Sequence, residues 1–183
     1  MLQRDKLPPS VLERDVERAF GPVARQLGGH FDRVKLALDL GDENGVLEAW
    51  VEHVRGSEWR TRFELSLERR LVPNLRIADS RHASAWTSWH EPDLRVGDAA
   101  FDAAFIVRGE RGDVARAALT PEVRAALLAL RLWLDRIKLE DGRLAGRVDR
   151  VLSDSRTVER AAMAVLAVGE AFALTRRTRS AYR

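Results

Sequence analysis

Cysteine is missing from this 183-residue chain, and with it go disulfide frameworks, thiolate metal sites and cysteine nucleophiles. Lysine is scarce: Lys6, Lys35 and Lys138 are the whole set, so almost all positive charge is arginine. Set beside abundant alanine, valine and leucine, that bias fits a high-GC coding habit better than a selected binding surface. No G-x-G-x-x-G or Walker loop occurs, which removes the usual phosphate cradle. No serine sits in G-x-S-x-G or S-x-x-K, so spacing picks out no nucleophile with its base. The opening 1-MLQRDKLPPS-10 lacks an apolar core, so no secretory leader is expected. The longest nearly apolar run, 161-AAMAVLAVGEAFAL-174, is too short for a bilayer and contains Glu170. A buried helix, a soluble cytoplasmic protein and no cofactor are expected.

What is present suits a folded chain. Hydrophobic residues make up 45%, enough for one sizeable core. The isoelectric point of 9.9 points toward nucleic acid, and the distribution of charge qualifies it. Arg176, Arg177, Arg179 and Arg183 stand in the last eight residues without an acid. Without them the balance of 31 basic to 28 acidic residues becomes 27 to 28. One compact domain over residues 1–175, followed by a flexible basic tail at 176–183, is the expected organisation.

Periodicity supplies the elements. Ser10 opens a helix with a capping box to Glu13, and Leu12, Val16, Phe20, Val23 and Leu27 form its apolar stripe. Gly21-Pro22 should kink or split that helix, and Gly28-Gly29 should end it. Val34, Leu36, Leu38 and Leu40 then alternate as in a strand with one buried face. Residues 46–55 and 59–70 form a hairpin around Arg55-Gly56-Ser57. A two-residue Gly56-Ser57 turn competes with a register pairing Leu47 with Leu65, Ala49 with Phe63, Val51 with Thr61 and His53 with Trp59. The second register collects apolar residues on one face, so it is preferred, and it leaves Trp50 on the charged face near Arg62. A short strand is expected around Leu75–Ile77, and residues 79–96 read as a long loop with a short strand at Leu94–Val96. Phe105–Arg108 reads as a strand, and Asp113 caps a short helix. Thr120 and Pro121 start another helix with a stripe of Val123, Leu127, Leu130 and Leu134. Asp141-Gly142 marks a type I′ hairpin that sets Leu139 opposite Leu144. A last helix runs from about Asp154 to Leu174. The fold class is therefore α+β: an antiparallel sheet with helices packed on one face, a small C-terminal hairpin and a long C-terminal helix.

The run 97-GDAAFDAAFIVRGE-110 places Asp98 and Asp102 four residues apart, as a carboxylate pair or as the start of a helix. Asp98 after Gly97 stands where an N-cap belongs, and Phe101 and Phe105 share a face toward the core. No histidine, lysine or nucleophile is patterned beside them, so the motif Gly97, Asp98, Phe101, Asp102, Phe105 reads as structural. With 113-DVARAALTPEVRAALLAL-130 and 137-IKLEDGRL-144 it resembles a bacterial domain family of unknown function. There G-D-x-x-F-D-x-x-F-x-V is followed by A-R-x-x-L-T-P, here through Thr120 and Pro121, and by a leucine-rich helix and a strand pair. The resemblance covers residues 93–150 and implies an α+β fold without catalytic residues. Some members of that family carry membrane-spanning segments beside the domain.

Remaining candidates concern contact more than chemistry. His82 and His90, with Glu91 and Asp93, match no established ligand spacing, and His53 beside Trp59 reads as a core or edge histidine. Trp86, Trp89, His90 and Trp50 are the candidate interaction surface, set against the alternative that the loop tryptophans cap the sheet. The last helix is apolar nearly all round, which buries it between layers or in a homo-oligomer contact. A non-catalytic module acting through an unknown protein partner is the first expectation. Binding of nucleic acid or an anionic surface through Arg176, Arg177, Arg179 and Arg183 is the alternative.

Overall fold

A computed structural model describes residues 9–32, 35–39, 45–55, 58–67, 74–82, 93–109 and 111–181; of residues 9–11, 174 and 176–181 it places the backbone alone. The chain begins with α1 (Pro9–Gln26), one helix that runs through Pro22. Ser10 therefore lies inside the first turn and not at the cap. No split occurs at Gly21-Pro22, because Val16, Phe20, Val23 and Ala24 are all buried and their packing outweighs one missing N–H. The end falls as expected. Gly28 takes φ 71°, its N–H reaches the Arg25 carbonyl, and the Gly29 N–H reaches that of Ala24 at 2.7 Å, a Schellman closure.

Eight strands are described: β1 (His30–Asp32), β2 (Lys35–Asp39), β3 (Val46–His53), β4 (Trp59–Ser66), β5 (Arg76–Asp79), β6 (Phe105–Arg108), β7 (Arg136–Glu140) and β8 (Arg143–Val148). They make one sheet in the order β1-β2-β3-β4-β8-β7-β5-β6, antiparallel throughout. The β3–β4 register follows the apolar pattern, with Leu47 opposite Leu65, Ala49 opposite Phe63, Val51 opposite Thr61 and His53 opposite Trp59. Gly56 and Ser57 lie outside the described residues. The β7–β8 turn carries φ 52° at Asp141 and 76° at Gly142, as a type I′ turn requires, and Leu139 pairs with Leu144. That hairpin is not an appendage. It sits mid-sheet, with β8 on β4 and β7 on β5. Leu94–Val96 forms no strand; the Leu94 N–H reaches the Val107 carbonyl and the Val96 N–H turns to the Asp102 carboxylate.

Helices α2 (Ala99–Ala104), α3 (Gly112–Ala118), α4 (Pro121–Leu130) and α5 (Ser155–Ala181) complete the fold. Asp113 lies in the first turn of α3 rather than at its cap, since the helix already starts at Gly112. One face of the sheet is apolar: Leu36, Leu47, Phe63, Leu65, Leu139 and Leu144 join a core completed by α1, α4 and α5. Thr61 is one of three buried polar residues among those described, with Asp79 and Arg108. It is satisfied by the Arg150 carbonyl and the Leu152 N–H. Ala161, Ala162, Val165 and Val168 of α5 are fully buried, so this side of the helix is used inside the chain. A Cβ on Gly169 would come within 2.8 Å of Leu65, which shows how closely α5 crosses β4. The helix continues past Leu174 to Ala181, because arginine, serine and alanine beyond Thr175 include no breaker.

Candidate functional site

Alternation along each strand sends the other half of the side chains to the opposite face of the sheet, left uncovered by the described helices, where Lys35, Arg62 and Arg136 are 39–44% exposed. Registers then fix which of them meet. Lys35 pairs with Trp50, Trp50 with Arg62, Arg62 with Arg147, and Arg147 with Arg136. Four cations and one tryptophan thus form a single row across β2, β3, β4, β8 and β7. Like charges directly opposite destabilise a sheet by roughly 0.2–1 kcal/mol per pair, and this row holds two such pairs in succession.

Carboxylates compensate the row incompletely. Asp149, just beyond β8, takes three arginines at once: Arg147 Nε at 3.0 Å, Arg60 Nε at 3.4 Å and Arg136 Nε at 3.9 Å. Glu52 takes Arg62 at 3.4 Å, and Glu48 takes Lys35. Burial lowers the Arg147 pKa from its ordinary value; Asp149 opposes that shift, while the charges of Arg136 and Arg60 add to it. Trp50 is flanked by cations, with Arg62 5.5 Å and Lys35 5.8 Å from its ring centre. The expected position of Trp50 on the charged face, opposite Arg62, is the observed one.

A second polar cluster lies at the end of β5. Asp79 is 1% exposed and accepts the Arg81 backbone N–H at 3.0 Å, Arg81 Nη2 at 2.6 Å and Arg131 Nε at 3.1 Å, among further guanidinium bonds. Arg131 also stands over the Phe105 ring at 5.6 Å. Burial alone would raise the Asp79 pKa. The hydrogen bonds from Arg81 and Arg131 outweigh burial and hold it below its ordinary value. Ser80 Oγ donates to the Ala103 carbonyl, and His82 Nε2 lies 3.0 Å from the Asp135 carbonyl. Asp79 therefore ties β5 to α4 and, through its neighbours, to α2. A carboxylate so fully engaged is a brace, not a base.

The opening motif is likewise structural. Asp98 caps α2, accepting the Phe101 N–H at 3.1 Å, and pairs with Arg124 at 3.2 Å. Asp102 accepts the Val96 and Gly97 N–H groups at 2.9 and 3.1 Å, which folds the preceding turn onto the helix. Phe101 and Phe105 are buried with ring centres 5.0 Å apart. Thr120 caps α4 with Pro121 in its first turn. Replacing Asp98 by alanine is expected to lower stability by about 1 kcal/mol, more if the Arg124 pair matters, as read from the urea midpoint.

Other sequence candidates are scattered. His53 lies against Trp59, ring centres 4.8 Å apart and the planes tilted by 56°. Asp93 binds Arg108 at 2.9 Å. Trp86, Trp89, His90 and Glu91 lie outside the described residues, as does Arg183, and the side chains of Arg176, Arg177 and Arg179 are likewise outside them. Among the described residues no group of histidines and carboxylates is placed to hold a metal ion, and no helix is long and apolar enough to cross a membrane. Sequence reading missed the Asp79 brace and the arginine row. Half of the row was within reach, since the two hairpins give Trp50–Arg62 and Arg136–Arg147. The contact of β4 with β8, which joins those halves, has no local signal. Comparison with protein-family models, with curated proteins and with solved structures found no match to this chain.

Proposed function

We propose that this protein is a non-catalytic accessory module that acts by binding, and that its working surface is the uncovered face of the sheet, which takes polyanions. The observation that carries this reading is the arginine row, in which Arg147 and Arg136 share Asp149 with Arg60 while Arg62 has Glu52. Side chains that repel one another across three neighbouring strands are relieved by a ligand that brings negative charge. The carboxylates at the motif and at the end of β5 support the non-catalytic part, since each is engaged in capping or bracing. A contact with a protein partner is the second reading. It is favoured by Leu132, 81% exposed after α4, and Met163, 49% exposed on α5.

Retention on immobilised heparin, a soluble-polyanion mimic, tests the first reading. The protein is expected to bind at low salt and to elute as salt rises. Arg62→Gln with Arg136→Gln is expected to elute distinctly earlier at an unchanged melting temperature, because both side chains are substantially exposed. A wild-type chain that flows through at low salt sinks the reading.

A further inference from the structure

The row has a length, a composition and a setting that narrow the polyanion. Strands lie about 4.8 Å apart, so five of them carry the row over about 19 Å. That length suits a few nucleotides, the lower end of the roughly four to sixteen that one single-strand binding fold covers. Composition points the same way. Guanidinium groups bond phosphate oxygens through paired N–H groups, and their planes also stack on bases. Trp50 adds an indole in the same row, where a base replaces one of the flanking cations. Lys35, 43% exposed and ion-paired only with the similarly accessible Glu48 among the described residues, is the cation that swings aside. Duplex DNA is a poorer match: its bases are read by a helix or a two-stranded ribbon inserted into a groove, and the row lies on a broad sheet. An anionic membrane would meet the charges and leave Trp50, held between strands, without a part.

We infer that the uncovered sheet face binds single-stranded nucleic acid, laid across the strands along Lys35, Trp50, Arg62, Arg147 and Arg136. Phosphates sit against the arginines and one base stacks on Trp50. This inference depends on the polyanion reading above and specifies its ligand.

Fluorescence anisotropy with labelled oligo-dT and oligo-U of about twelve nucleotides tests it, on full-length protein throughout. Wild type is expected to bind with an affinity that falls about tenfold or more between 50 and 200 mM salt. Arg62→Gln with Arg136→Gln should weaken binding at least about tenfold and flatten the logarithmic salt slope by about 1.4, two phosphate contacts' worth. Trp50→Leu should weaken binding about fivefold or more with the slope unchanged, the signature of a lost stack. Replacing Arg176, Arg177, Arg179 and Arg183 together by glutamine should leave most of the affinity. Thermal melts of each variant establish that it is folded. The inference is overturned if the tail variant alone abolishes binding, or if the folded Arg62/Arg136 variant binds as wild type does. Binding to phosphatidylserine vesicles without binding to either oligonucleotide overturns it too. Heparin retention with no oligonucleotide binding removes this inference and leaves the polyanion reading standing; failure of both assays removes both.

Discussion

Asp79→Ala is expected to lower the unfolding free energy by about 3–5 kcal/mol, the usual consequence of removing one partner from a buried ion pair. Two guanidinium groups converge on that carboxylate, and it is 1% exposed. With it gone, Arg131 is left 24% exposed over the Phe105 ring with no anion, and the backbone N–H of Arg81 loses its acceptor. Urea unfolding followed by circular dichroism measures the loss. A change below about 1 kcal/mol would show that solvent already screens the cluster. Asp79→Leu combined with Arg131→Met should recover part of the loss, because it removes the less exposed of the two cations, while Arg81, 43% exposed, keeps its charge in solvent. The pH dependence has a fixed sign. The folded pKa of Asp79 lies below its unfolded value of about 3.9, so the stabilisation is complete above that value. It disappears as pH falls through the folded pKa. Asp79→Asn should therefore unfold with a flatter acid limb than wild type and converge with it at the lowest pH.

The brace also shows where sequence reading reaches its limit. Local chemistry was legible: Gly28 closing α1, the Asp98 and Thr120 caps, the type I′ turn at Asp141-Gly142, and the β3–β4 register chosen from its apolar face. Each depends on residues close in the chain, where one wrong offset turns a whole face inside out. Non-local pairing has no such marker. Nothing in 59–66 announces that the remote β8 lies beside it, so the hairpin at Asp141-Gly142 reads as separate and the arginine row has no marker in the sequence. The three-residue β1 offers too few positions for alternation to register. Asp79 sat at the edge of what read as irregular loop, and its partner Arg131 is remote in sequence. At Pro22 propensity was overruled by burial, because the apolar stripe continues on both sides of the proline and packs against α5.

These contrasts separate what holds the sheet from what it presents. Apolar residues on one face supply stability, and charges on the other face supply very little, so substitutions on the two faces should part company. Phe101→Ala, in the core that α2 joins on the apolar side, is the sharpest case. Phe101 is fully buried, lies 5.0 Å from the Phe105 ring, and is positioned by the Asp98 cap on its own N–H. Truncating a phenylalanine so placed typically lowers stability by about 3–5 kcal/mol, through lost burial and the cavity left behind. For a chain of this size that corresponds to a fall in Tm on the order of 10 °C. Phe101→Leu should lose only about 1.5 kcal/mol, since most of the volume is kept. Arg62→Gln with Arg136→Gln, on the uncovered face, should stay within about 0.5 kcal/mol of wild type. If Phe101→Ala melted with wild type, the motif would not be the core anchor its geometry describes, and its two aspartates would need another explanation. If it melts early while the arginine variant does not, stability resides in the apolar core that α2 joins and not in the charged face of the sheet.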